Sequence, residues 1–117
     1  MHISIKATGH TLTEETRALV DSKFAKLGKL CDEGATLVCE IEESIAAVRA
    51  GGHYRVAGNL AVEGAAFHAR ATHTTLEGAI DTVRNDLVRE VRTSRSRTRR
   101  LAKRGGAMVK RFLRFGR

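Results

Sequence analysis

Two alternating runs meet at Glu63-Gly64, and that junction constrains the fold more than any other feature of the chain. In "HYRVAGNLAVEG", Tyr54, Val56, Gly58, Leu60 and Val62 fall on one side of a period-two pattern. In "AAFHARAT", Phe67, Ala69 and Ala71 alternate with His68, Arg70 and Thr72. That period belongs to strands with one buried face, and so short a connection through glycine predicts a hairpin. A lone hairpin leaves its apolar face in water, so the rest of the chain must cover it.

The remaining segments can supply the cover. "HISIKAT" alternates Ile3, Ile5 and Ala7 against His2, Ser4 and Lys6, which predicts a strand that Gly9 ends. From Thr13 the period changes. Val20, Phe24, Leu27 and Cys31 recur at four, three and four residues, a single helical stripe. Thr13 is placed to cap that helix, Glu14 and Glu15 suit its first turn, and Asp32-Glu33-Gly34 closes it. "ATLVCEIEE" returns to strand, with Leu37, Cys39 and Ile41 on one face. "SIAAVRAGG" reads as a loop because Gly51-Gly52 breaks any regular pattern. Thr74 and Glu77 then read as a T-x-x-E capping box. They open a second helix with the stripe Leu76, Ala79, Ile80, Val83, Leu87 and Val91, and nothing interrupts it before Gly105-Gly106.

The order is therefore β-α-β-β-β-α. The long first crossover makes strands one and two parallel, and the two short connections make an antiparallel meander. The expected fold is α+β, a four-stranded mixed sheet with two helices packed on one face. The opposite face should carry His2, Ser4, Lys6, Glu40, Arg55, Asn59, His68 and Arg70 in water.

Charge divides the chain in two. Arg92–Arg117 holds eleven basic residues and no acid, out of 21 Lys and Arg in the whole chain. The remaining 10 face 13 acids, so residues 1–91 carry about −3 and residues 92–117 carry +11. We read 1–91 as the folded domain and 92–117 as a basic extension. Eleven like charges without counterions repel one another unless a polyanion neutralises them, and nucleic acid is the first candidate.

Other classes find little support. No run approaches the roughly 18 apolar residues of a membrane span, and the start lacks the pattern of a secretory signal, so a cytoplasmic protein is expected. Cys31 and Cys39 lie on apolar faces and read as buried, reduced core thiols rather than a disulfide pair. No phosphate loop, CxxC, HExxH or nucleophile elbow occurs, so no enzyme, cofactor or metal is expected. His68 and His73 sit five apart on one strand and point to opposite faces. His2 and His68 read as solvated.

Cations in rows remain. Lys23, Lys26 and Lys29 recur every third residue along the first helix. Arg84, Arg89, Arg92 and Arg95 extend along the second, followed by Arg97, Arg99, Arg100, Lys103 and Arg104. Guanidinium and ammonium groups both suit phosphate oxygens. Beyond the glycine pair, Lys110, Arg111, Phe112, Arg114 and Phe115 form a candidate anchor. There Phe112 and Phe115 could stack on bases or enter a groove of a partner protein. The same end sets Met108, Val109, Phe112 and Leu113 at helical spacing, an alternative reading as a short interfacial membrane helix.

The segments "HISIKATGHTLTEETRALVDSKFAKLGKL" and "LAVEGAAFHARATHTTLEGAIDTVRNDLVREVR" together resemble the ribosome hibernation promoting factor family, also called ribosome-associated inhibitor A or protein Y. The "HARA" strand followed by the "LEGAID" helix entry is the most particular part, and the match covers about residues 2–92. The resemblance implies a factor that occupies the decoding channel of the small subunit, where mRNA and the A- and P-site tRNAs sit. Such a factor inhibits translation and protects idle ribosomes under stress, in a bacterial cytoplasm, without turnover or a small-molecule substrate. Its partners are the small subunit with its 16S rRNA, or the 70S ribosome. By position the resemblance assigns basic contacts to Lys26, Lys29, Arg89 and Arg92, while Asp81 reads as surface polarity.

The chain departs from the family in three ways. It has no proline, Asp86 stands where a lysine is expected, and no second domain follows, which implies a short form without the long form's dimerisation domain. The basic tail is unexplained by the resemblance. A general rRNA-binding or structural ribosomal protein of the same fold is the alternative reading, with the membrane-surface binder third.

Overall fold

The computed structural model of the chain describes residues 1–43 and 53–104, with residues 96–104 as backbone only. The predicted loop at 44–52, the anchor residues Lys110, Arg111, Phe112, Arg114 and Phe115, and the side chains of Arg97, Arg99, Arg100, Lys103 and Arg104 lie outside that description.

Strand β1 runs His2–Thr8 and ends at Gly9, which has φ +68°. A side chain there is barred twice over, since a Cβ would overlap the carbonyl oxygen of Glu43. Thr13 then caps α1, Glu14–Leu30, by accepting the backbone N–H of Thr16 on its hydroxyl at 3.1 Å. Strand β2 covers Thr36–Glu43, β3 covers Tyr54–Val62 and β4 covers Ala65–His73. Gly64, with φ +80°, turns the predicted hairpin. Helix α2 runs unbroken over Leu76–Arg104.

The sheet order is β1-β2-β3-β4, with β1 parallel to β2 and the other pairs antiparallel. This is the α+β arrangement expected from the order of periodicities. Register places Ile5, Cys39, Gly58 and Ala69 in one row across all four strands. Flanking rows contribute Leu37 and Leu60 on one side, Ile41 and Val56 on the other. Val20, Phe24 and Leu27 from α1 and Ala79, Ile80, Val83 and Leu87 from α2 close over this face, all fully buried. Gly58 lets α2 approach: a Cβ there would sit 2.9 Å from Val83 Cγ1 and 3.0 Å from Leu87 Cδ1.

Two expectations need correction. Thr75, not Thr74, caps α2, because its hydroxyl accepts the Gly78 N–H at 3.0 Å while His73 Nδ1 accepts the Thr75 N–H at 3.3 Å. Glu77 makes no capping box, since its carboxylate is drawn away to Lys23 at 2.7 Å. Cys31 is not core either. It forms the C-cap of α1, half-buried, whereas Cys39 is fully buried.

Candidate nucleic-acid interface

Helix α1 presents its polar side away from the sheet, and the three lysines predicted there separate by environment. Lys26 and Lys29 are exposed. Lys29 also lies in the last turn, where the helix dipole favours a cation. Lys23 is held instead in the groove between the helices. Its Nζ lies 2.7 Å from Glu77 Oε1 and 3.1 Å from Asp81 Oδ1. The hydrogen bonds that the amine donates, to Glu77 first and Asp81 second, stabilise its charged form, so its pKa is raised above the ordinary lysine value.

Asp81 is therefore more than surface polarity on α2. Its Oδ2 accepts from Lys23 at 3.4 Å, and its shielded Oδ1 also lies 3.2 Å from Arg84. Oδ1 has ion-pair distances to two cations but no well-directed hydrogen bond, so it depends on both charges for compensation. The same arginine donates to Asn85 Oδ1 at 2.9 and 3.1 Å. Further along, Arg89 pairs with Asp86 at 2.9 Å, so the acid that stands in place of an expected lysine occupies a neighbouring arginine. Arg95 donates to the carbonyl of Leu30 at the end of α1. Arg92 is exposed. Among these predicted contacts, the side chains of Lys26, Lys29 and Arg92 have no hydrogen bond or ion pair to a described residue, whereas Lys23, Arg84, Arg89 and Arg95 each have at least one. Among the residues of α2 whose side chains are described, the last in the core is Val91, and the helical backbone continues to Arg104.

The open sheet face carries the predicted mixture. Lys6, Glu40, Arg55, His68 and Arg70 line a shallow depression of about 430 Å³. Arg55 lies 3.6 Å from Glu42, and His68 Nδ1 lies 2.6 Å from Asn59 Oδ1 in the register pair between β3 and β4. Acids and bases are mixed across it.

One polar cluster escaped the sequence reading. Glu43 at the end of β2 accepts from His10 Nδ1 on Oε2 and from His53 Nε2 on Oε1, each at 2.9 Å. His10 Nε2 contacts the hydroxyl of buried Thr16 at 3.2 Å. Both imidazoles approach the Tyr54 ring edge-on, at centroid distances of 6.1 and 4.8 Å. Hydrogen bonding from His10 and then His53 holds the Glu43 carboxyl below its ordinary pKa. The spacing of 33 and 10 residues gives no motif to read. Among the described residues, no group of three or more His, Cys, Asp or Glu side chains is arranged to hold a metal. No helix among them is long and apolar enough to cross a membrane.

Comparison with known proteins follows from this geometry. A search of curated proteins finds no match. Two solved structures share the fold. The Protein Y N-terminal domain from Thermus thermophilus matches with a TM-score of 0.66 and 21% identity, over 78% of this chain and 96% of that one. A ribosomal subunit interface protein from Coxiella burnetii matches with a TM-score of 0.65 and 14% identity, over 82% of this chain and 99% of that one. The family model described as Sigma 54 modulation protein / S30EA ribosomal protein matches residues 3–99, from the first strand into the basic part of α2. With that match covering well over half of the chain, the chain belongs to the Sigma 54 modulation protein / S30EA ribosomal protein family.

Proposed function

We propose that this protein is a ribosome hibernation factor. It binds the small ribosomal subunit in the decoding channel, where it excludes mRNA and the A- and P-site tRNAs and so inhibits translation and protects inactive ribosomes. The observation that carries the reading is the match to this family of a domain whose helices expose Lys26, Lys29 and Arg92 without partners. One structural neighbour is named a ribosomal subunit interface protein, which supports the same direction.

The chemistry required is occupation of space. A folded domain with cations on one side lies against 16S rRNA phosphates, and its bulk excludes competing ligands. No bond is made or broken. The basic segment from Arg92 onward, with its eleven cations, adds affinity by releasing counterions from the RNA. The domain of residues 1–91 does the blocking, and residues 92–117 anchor it.

Co-sedimentation of the full chain with purified small subunits and 70S ribosomes tests the reading. Binding at low salt is expected. Neutralising six to ten phosphates weakens it by about 10³–10⁵-fold between 50 and 200 mM salt. Failure to co-sediment at low salt overturns the proposal. The family description also names a ribosomal protein, and a structural role predicts the chain on translating polysomes, unmoved by mRNA or tRNA.

A further inference from the structure

The packed helices divide the predicted phosphate contacts into two groups with different work to do. Lys26, Lys29 and Arg92 are exposed without partners. Lys23 and Arg95 each cross from one helix to the other. Lys23 reaches from α1 to Glu77 and Asp81 of α2, at 2.7 and 3.1 Å. Arg95 reaches from α2 to Leu30, the last residue of α1. A single tie between two rods leaves a pivot, whereas two separated ties restrain direction as well as distance. The free lysines Lys26 and Lys29 fall between residues 23 and 30 on α1, and Arg92 falls between residues 81 and 95 on α2.

We infer that Lys23 and Arg95 are positioning residues, which brace α1 against α2 and fix the spacing of Lys26 and Lys29 from Arg92, and that phosphate contact falls on those last three. The inference rests on the nucleic-acid reading above and assigns roles within it. For Lys23 to meet a phosphate it must leave two carboxylates. The shielded Asp81 Oδ1 would then have Arg84 alone for compensation. An unpaired shielded charge opposes that exchange.

The brace makes a prediction opposite in sign to simple electrostatics. Asp81→Asn deletes a negative charge from a protein that binds a polyanion, so charge alone predicts tighter binding. If Asp81 holds the brace, the isosteric amide weakens binding instead. The probe is purified small ribosomal subunits, titrated with full chain across 50–200 mM salt at a temperature where thermal unfolding shows every variant folded.

Asp81→Asn and Lys23→Met should each weaken binding by about 3- to 30-fold, in the range of coupled neighbouring groups, with an unchanged salt slope. Lys23→Arg, which can still reach both acids, should restore it. Lys26→Met, Lys29→Met and Arg92→Met should each lower the slope of log K against log salt by about 0.7–0.9, one phosphate's worth. Tighter binding by Asp81→Asn, or a lowered slope for Lys23→Met, overturns the inference while leaving the ribosomal reading intact. Absence of binding by the unaltered chain overturns both.

Discussion

Glu43 and His10 meet at 2.9 Å across 33 residues of sequence, pinning the loop after β1 to the end of β2. The carboxylate can only accept, so in the neutral imidazole Nδ1 carries the proton and Nε2 accepts from the Thr16 hydroxyl at 3.2 Å. His53 holds the other oxygen. Because these bonds lower the pKa of Glu43 in the folded state, its contribution to stability is present above the ordinary carboxylate range. That contribution is lost as pH falls through the lowered value. Denaturant unfolding between pH 3 and 7 should therefore show a loss on the acid side that Glu43→Gln reduces. An unchanged acid limb in the variant would remove Glu43 from the pH dependence.

Gly58 forms a close-packed floor under α2. Adding the alanine methyl places it 2.9 Å from Val83 and 3.0 Å from Leu87, so side chains or the helix must shift. Gly58→Ala should cost about 1–3 kcal/mol, the usual range for overpacking a filled core. Alanine ordinarily improves on glycine within a strand, so stabilisation would show that α2 has room to move.

The two threonines before α2 separate by what their hydroxyls do. Thr75 accepts the Gly78 N–H, so Thr75→Ala should cost about 0.5–2 kcal/mol. Thr74→Ala should stay within about 0.5 kcal/mol, as for a surface substitution. Equilibrium unfolding of both variants decides the cap, and equal costs would contradict it.

The two thiols differ in reactivity. Burial, with the Glu40 charge second, pushes the Cys39 thiol up to about 12. At pH 8 such a thiol carries about 10³ times less thiolate than an ordinary cysteine near 8.5. Half-buried Cys31 is also raised by burial, but Arg95 beside it pulls the other way. A thiol reagent should thus modify Cys31 first and reach Cys39 only in denaturant. Simultaneous modification in the native state would contradict the burial.

Much of this fold was legible because its signals are local. The alternation around Glu63-Gly64, the Val20-Phe24-Leu27 stripe and the Thr13 cap each identify an element from a few neighbours, and register then brings Cys39, Gly58 and Ala69 into one row. What the sequence hid is pairwise and distant. Lys23 is an ordinary helix lysine until packing brings it to Asp81, 58 residues away. Glu77 and Asp81 stand four residues apart with Arg84 three further on, a spacing that names no partner on another helix. The capping box failed for the same reason, since Glu77 had a stronger claim from another helix.

The most direct test of the proposed function is competition on the small subunit. Subunits loaded with mRNA and initiator tRNA are titrated with the full chain at fixed low salt, and both ligands are followed. Blocking the decoding channel predicts mutual exclusion: each bound chain displaces tRNA, and excess tRNA with mRNA displaces the chain. Simultaneous occupancy with unchanged affinities for both would contradict it.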